Sequence, residues 1–430
     1  MIADGFMCHL YPTTTERDAM KRGAVILLVV LAAMMCGCSA SGSQAASGSA
    51  ASAQPSSAGR VVAEGLPAIH VEGQTDLPGN FYLSFVYSRD IVMLDGKGGI
   101  VWSKHEDQPA EGLTTGWWDF KKHVIDGKTY YSYHDQTGAY DNYDLEGFAP
   151  GERVILDENF NEVKRITFEA SGVTAKGDPL DGHDFLLIDL DHYILSGYIH
   201  DTVYNVPGHE SGSKVVYSYL QEVKNGEVVW DWKSADYPDL YALTVTDGTP
   251  TAADYANEQT DAPDIMHFNA MRLNGDGNLV CSFRNLSTVL CLDRTKRADQ
   301  IIWKLSGNSD EFGLADYEKS SCQHYVTVDG DRFTVFDNGN RNELTRVVTW
   351  KVDTAGKAVE AVDIHTFDGK FSRACGSAQR VADDLYVISF GAATKDLEYM
   401  AVIDFATGEK LLSLTLDNPQ DFTYRCVYYE

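Results

Sequence analysis

A chain of 430 residues, 44% hydrophobic and 23% charged, has the composition of a globular protein with a large core, which excludes the disordered and collagenous classes. Its 35 Lys and Arg against 63 Asp and Glu give a formal charge of −28, a field that repels a phosphate backbone and argues against a nucleic-acid partner. An anionic small substrate must be held by local cations working against that field.

Residues 1–19 are polar. Met20-Lys21-Arg22 then opens an apolar run, GAVILLVVLAAMM, that is too short for a comfortable membrane span and ends at small residues and cysteine. This reads as an export signal with translation starting at Met20. Its end, Met35-Cys36-Gly37-Cys38, resembles a bacterial lipobox, with Cys38 the lipidated residue that anchors the protein to the outer face of the cell membrane. Met35 departs from the usual Leu-led pattern, so a cleaved secretory signal and an uncleaved anchor stay open. Residues 39–60 are almost entirely Ser, Ala, Gly and Gln and form a flexible tether. The expected organisation is a signal region over 1–38, the tether over 39–60 and one catalytic domain over 61–430.

From residue 80 onward, short β-branched and aromatic runs are broken by Gly, Asp and Asn, with a trace of helical period only near 251–259. The class is all-β. A hairpin of two apolar runs, the second often carrying Trp, recurs six times, with turn markers at Asp95, Asp157, Lys224, Asp293, Asp353 and Asp404, at intervals of about 50 to 70 residues. Before each such hairpin except the first lies an inner pair of strands. Six units of four strands predict a six-bladed β-propeller. The first unit lacks its innermost strand, and TYRCVYY (423–429) is left over, so the C-terminal strand should fill that place and close the ring. Trp102, Trp230, Trp303 and Trp350 fall at positions that pack between blades.

Five cysteines lie beyond the tether, Cys281, Cys291, Cys322, Cys375 and Cys426, an odd number without metal-like spacing. Cys281 with Cys291, and Cys322 with Cys375, are candidate disulfides.

Three successive units open their inner strand with histidine: His183 in DGHDF, His267 in IMHFNA and His324 in SCQHYV, while Trp118 and Ser377 hold the matching places in the second and sixth. Residues at one repeat position of a propeller converge on one rim of its channel. Any single histidine is more simply a half-buried structural residue; three at one repeat position point to chemistry. Three imidazoles also suit zinc, but Arg284, in SFRN of the blade that carries His267, is ill placed beside a divalent cation and well suited to an oxyanion. No metal or other cofactor is expected. Trp117, Trp118, Tyr198 and Tyr325 are candidates to stack on an aromatic ring of a ligand, and Asn269 to donate a hydrogen bond.

The set HDF, HFNAMRLNGDGNLVCSFRN, SCQHYVTVDGDRFTVFDNG and GSAQR resembles the bacterial arylsulfate sulfotransferases, six-bladed propellers that move a sulfuryl group between phenols without the nucleotide donor PAPS. The resemblance implies that His324 is transiently sulfurylated and that His183, His267 and Arg284 complete the site, with a phenolic sulfate donor and a phenol acceptor as partners. Two departures stand out. Family members often carry Asp where this chain has Tyr325, and the enterobacterial type has an N-terminal β-sandwich used in dimerisation for which there is no room before the first blade, so a monomer is expected. A non-enzymatic scaffold or ligand-binding lipoprotein, and a sulfatase-like hydrolase, are the rival readings.

Overall fold

Aspartate side chains set the outer turns. In the computed structural model, Asp95 Oδ1 accepts hydrogen bonds from the backbone N–H groups of Lys97 and Gly99 at 2.9 and 2.8 Å. Asp157, Asp293, Asp353 and Asp404 take the same role two or more residues before their strands resume. A short side chain that mimics a backbone turn is the physical content of the repeat. The third copy differs: after Lys224, Asn225 and Gly226 both adopt positive φ (+53° and +76°), the turn whose twist suits a two-residue hairpin.

The structure describes residues 59–61, 66–110, 114–137, 147–245, 253–258, 262–392, 398–418 and 422–430. The signal region, Cys38 and nearly all of the tether lie outside them. The described chain is all-β, built of antiparallel strands in successive groups of four. The second group is Trp117–Ile125, Lys128–Gln136, Pro150–Leu156 and Glu162–Ile166; the third is Leu186–Asp189, His192–Val203, Ser213–Lys224 and Glu227–Lys233. The fourth is Phe268–Leu273, Leu279–Phe283, Thr288–Leu292 and Ile301–Leu305; the fifth is His324–Asp329, Arg332–Asp337, Arg346–Asp353 and Ala358–Thr366. The sixth is Ser377–Ala382, Leu385–Ser389, Glu398–Asp404 and Glu409–Leu416.

The first group has three consecutive strands, Asn80–Phe85, Asp90–Asp95 and Ile100–His105, and the C-terminal strand Thr423–Tyr429 pairs antiparallel with the free edge of Asn80–Phe85. TYRCVYY thus supplies the strand that the first group lacks. At the other end of the order, Ile69–Gly73 pairs with Glu409–Leu416 and Gly59–Val61 pairs with Ile69–Gly73, extending the sixth group to six strands. No described sheet closes on itself; the first and second groups join through the single pair Phe85↔Trp117.

The apolar side chains pack between groups rather than within them. One cluster joins Val280, Val289, Trp303 and Leu305 of the fourth group to Val326, Phe333, Val335 and Trp350 of the fifth. Others link third with fourth, fifth with sixth, and sixth with first. Each fully buried Leu, Val or Phe contributes about 1.5–3 kcal/mol to this packing. Trp230, Trp303 and Trp350 are buried in these seams, and Trp102 stacks on Phe160 with ring centroids 4.1 Å apart.

A second fastening is ionic. Asp119 binds Arg153 (2.9 Å), Lys121 (2.9 Å) and Arg425 (3.1 Å), while Asp184 binds Lys121, Arg272 (2.9 Å) and the backbone N–H of Met271 (2.8 Å). These side chains, all buried except the half-buried Arg272, come from the second and fourth groups, the segment just before the third, and the C-terminal strand.

Two expectations need correction. The five cysteines are buried thiols, none of them in a disulfide. The hairpin register pairs Cys281 with Leu290 and Val280 with Cys291, one residue away from facing thiols, so the two sulfurs lie on opposite faces of the sheet. The residues described over 253–258 form a turn, and helix among the described residues is limited to five short 3-10 pieces.

Candidate active site

The same irregularity marks the start of several inner strands. Pairing shifts by a residue between Phe268 and Ala270, between His324 and Val326, and between Trp118 and Lys121. Positive φ occurs beside each shift, at His267 (+55°), Tyr325 (+53°) and Asp119 (+53°). A bulge there bends the strand and re-aims the side chains at its end, and non-glycine residues hold such backbone only where surrounding structure enforces it. Three of the inner strands thus carry a device that re-aims the residues at their start.

His183 and His267 meet edge to face with ring centroids 4.9 Å apart. Each has its own carboxylate. His183 Nδ1 bonds Asp181 Oδ1, and Asp181 is fixed in turn by the backbone N–H groups of His183 (2.9 Å) and Ala149 (2.8 Å). Burial works to raise the Asp181 pKa, but His183 and these bonds outweigh it and hold the carboxyl below its ordinary value. His267 Nδ1 bonds Asp264 Oδ2 at 2.6 Å. Burial lowers the His267 pKa, with Asp264 opposing and His183 and Arg284 reinforcing. His267 is therefore not held charged at rest, because its desolvation exceeds the pull of its carboxylate. A carboxylate on Nδ1 leaves Nε2 as the atom that takes up a proton, and it stabilises the imidazolium as it forms.

His324 is held differently. Its Nδ1 lies 2.7 Å from Asn338 Oδ1. The Asn338 amide nitrogen donates to the carbonyls of Ser372 (2.9 Å) and Cys375 (3.1 Å), so the oxygen must face the ring. An acceptor at that position assigns the proton to Nδ1 and the lone pair to Nε2. The backbone N–H of Cys375 approaches Nε2 at 3.3 Å, a long bond that agrees with this tautomer and engages the lone pair only lightly. Burial, then Arg284, push the His324 pKa well below its ordinary value; the Asn338 bond offsets little, and His267 and His183 add to the depression. His324 is therefore a neutral, oriented imidazole.

Arg284 follows the bulged pair directly: its backbone N–H donates to the His267 carbonyl at 2.8 Å, and its guanidinium donates to Asn285 Oδ1 at 2.9 Å. Its charge is felt by His324, His267 and Cys375 alike. Aromatic rings line the histidine pair. Tyr198 lies 5.4 Å from both His183 and His267, Phe148 packs on Tyr198 at 4.3 Å, and Trp118 stacks on Tyr424 at 4.7 Å while meeting His183 edge-on at 5.7 Å. Among the described residues no group of three or more His, Cys, Asp or Glu is arranged as metal ligands would be.

Three candidates stand elsewhere. Asn269 is fully buried and its amide donates to the Gln323 carbonyl at 2.7 Å, tying the fourth group to the peptide before His324. Tyr325 lies over the guanidinium groups of Arg272 and Arg425, at 4.5 and 4.9 Å, and faces a different cavity. What orients His324 is Asn338, not its neighbour in sequence. Trp117 is buried against Tyr133 and bonds Asp135, away from the histidines.

Asp181, Asp264, Asn338, Phe148 and Tyr424 were not among the candidates read from sequence. The two carboxylates had a signal: each precedes its histidine by two or three residues, in DGH and DIMH, and no acid stands so near His324.

Comparison with known proteins gives one strong match. A family described as Arylsulfotransferase (ASST) matches residues 69–425. No curated protein matches the chain. Among solved structures it is similar to a protein of unknown function from Bacteroides caccae (9% identity, 82% of this chain and 100% of that one, TM-score 0.47). It is also similar to the periplasmic gluconolactonase of Pseudomonas aeruginosa (11% identity, 82% and 99%, TM-score 0.37). Neither likeness says anything about chemistry.

Proposed function

The chain belongs to the arylsulfotransferase family, and from that premise we propose that it moves a sulfuryl group from an aryl sulfate to a phenol in two displacements through His324. The observation that carries this reading is the contrast in partners: a neutral amide on His324, carboxylates on His183 and His267. Nε2 of neutral His324 attacks sulfur. An N–S bond forms, the S–O bond to the aryl oxygen breaks, and the electron pair leaves on the phenolate, which takes from an Nε2 the one extra proton that the His183–His267 pair carries. The acceptor phenol then gives its proton back to that nitrogen as its oxygen attacks sulfur and the N–S bond breaks. Two imidazolium rings 4.9 Å apart would repel, so the pair carries at most one proton beyond neutrality at a time. Arg284 offsets the charge on the non-bridging sulfuryl oxygens. Tyr198, Phe148 and Trp118 offer faces to the aryl ring.

The architecture we infer is a six-bladed propeller, each four-strand group a blade, with the C-terminal strand and Ile69–Gly73 fastening the ends. Contacts between successive inner strands support it, among them those of His324–Asp329 with Phe268–Leu273 and of Ser377–Ala382 with Thr423–Tyr429. Export, with attachment of a monomer through lipid on Cys38, remains part of the proposal; Cys38→Ser should move the protein from the membrane fraction to the soluble exported fraction.

Incubating the protein with p-nitrophenyl sulfate, with and without a phenol, tests the reaction. The expected result is nitrophenol release that depends on the phenol and needs no nucleotide. Release indifferent to the phenol would instead make the protein a hydrolase, and no release at all would leave only a binding role.

Two variants probe the roles. Arg284→Ala should lower kcat/KM about 10²- to 10³-fold and leave a slow residual rate, with Arg284→Lys between, because one preorganised cation is lost from the transition state. Asn338→Asp replaces the amide with a carboxylate and should raise the His324 pKa. In the unaltered protein the single-turnover burst of nitrophenol should stay level down to about pH 6, since His324 is still unprotonated there. In Asn338→Asp the burst should instead fall as pH drops through neutrality and recover above it. A burst in the variant that is merely scaled down at every pH would refute the positioning role of Asn338.

A further inference from the structure

The buried ionic cluster is out of balance. Four cations, Lys121, Arg153, Arg272 and Arg425, are matched by two carboxylates, Asp119 and Asp184, an excess of two positive charges in a chain of net charge −28. Buried charge without a counter-ion is costly, so an anion bound beside the cluster would be favoured. Of the four cations, Arg272 reaches a cavity of about 310 Å³ lined also by Arg332, Arg380, Tyr325, Tyr386 and Tyr429. None of the three site histidines lines this cavity: Tyr325, next to His324, turns its ring into it, and Asp329 at the far end of the same strand lines it too.

Three guanidinium groups face the space, and one carboxylate, Asp329, lines it. Arg332 is loosely held, 3.8 Å from Asp363. Arg380 is anchored at its Nε, which donates to the Asp383 carbonyl, while its terminal nitrogens stand 3.4 Å from Asp329 and 3.9 Å from Asp383, beyond good charge-assisted distance. Arg272 is held firmly by Asp184 and lies over the Tyr325 ring, so one cation is fixed in the wall, Arg332 at the rim can turn inward, and Arg380 keeps its terminal nitrogens for an anion. A volume of this size admits one aromatic ring with its charged group, and the three tyrosines supply ring faces and hydroxyl donors.

We propose that this cavity is a second binding site, for a single-ring aromatic oxyanion, the anion held by Arg272, Arg332 and Arg380 and the ring by the tyrosines. The proposal stands on this cavity and does not depend on the reaction assigned to the histidines. Calorimetric titration with benzenesulfonate, whose C–S bond makes it a non-transferable probe, should show two sites on the unaltered protein. Arg332→Gln/Arg380→Gln, at a half-buried and an exposed position and with the fold checked intact by circular dichroism, should weaken one site at least tenfold and leave sulfuryl transfer at low substrate unchanged. In Arg284→Ala the site at the histidines loses its own cation, so the binding that survives there reports this cavity alone. Sodium sulfate and phenylmethanol, the anion without a ring and the ring without a charge, should each bind that survivor more weakly than benzenesulfonate. A single site on the unaltered protein, or two undiminished sites in the double variant, would overturn the proposal. Sodium sulfate binding as tightly as benzenesulfonate would overturn the aromatic half of it.

Discussion

Replacing His324 with alanine should remove the proposed sulfuryl transfer, by at least about 10⁴-fold in kcat, while the protein keeps its fold. The expectation follows from the lone pair. Among the three site histidines only His324 lacks a carboxylate partner, and Asn338 assigns its free electron pair to Nε2. In the proposed reaction His183 and His267 share the proton that moves and each can substitute for the other in part, so His183→Ala or His267→Ala should each leave a measurable rate, of the order of 10⁻² to 10⁻⁴ of normal. Steady-state rates with p-nitrophenyl sulfate and a phenol distinguish the cases. An equal loss in all three variants would mean that the histidines act as a single unit, as metal ligands do, and not in divided roles.

Asp184→Ala should be the most damaging single change to stability, by about 3–5 kcal/mol. The aspartate is completely buried and bonds Lys121, Arg272 and the backbone of Met271 and Phe185. Removing it leaves a cluster already rich in cations with one carboxylate. Burial alone would raise the Asp184 pKa, but Lys121, Arg272 and Arg425 outweigh it and hold the carboxyl far below its ordinary value. A depressed carboxylate contributes stability that is fully present above the unfolded-state pKa of about 3.9 and is lost only as pH falls through the lower folded value. The deficit in Asp184→Ala should therefore be complete at neutral pH and shrink only in strong acid. Urea unfolding monitored by tryptophan fluorescence measures it. Asp329→Ala, at an exposed position, should shift the midpoint by less than about 0.5 kcal/mol, and similar losses in the two variants would contradict the ionic fastening.

The repeat was legible because its cause is local. Asp95, Asp157, Asp293, Asp353 and Asp404 each fold their own turn within a few residues, and Asn225-Gly226 does so by backbone freedom, so the period shows without any tertiary contact. The leftover TYRCVYY could be placed because the first unit visibly lacked a strand. The pairing of Ile69–Gly73 with Glu409–Leu416 could not: it spans most of the chain, and nothing near residue 70 announces it. The three histidines were legible as one repeat position. Their partners divide by distance. Asp181 and Asp264 stand next to their histidines in sequence, whereas Asn338 reaches His324 from the following strand and is held by Ser372 and Cys375 from the loop beyond. Tyr325 drew attention as the immediate neighbour of His324, but a bulge at that point sends its ring toward Arg272 and Arg425. The cysteine pairing failed on a register of one residue, which spacing alone does not fix.

The central claim is a covalent intermediate on one nitrogen. Mixing the protein with excess p-nitrophenyl sulfate in the absence of any phenol, quenching in base and digesting it for mass spectrometry should show a sulfuryl mass gain on the peptide that contains His324. That gain should disappear when a phenol is added before the quench. A gain on a peptide bearing His183 or His267 instead, or none while nitrophenol is released, would contradict the account.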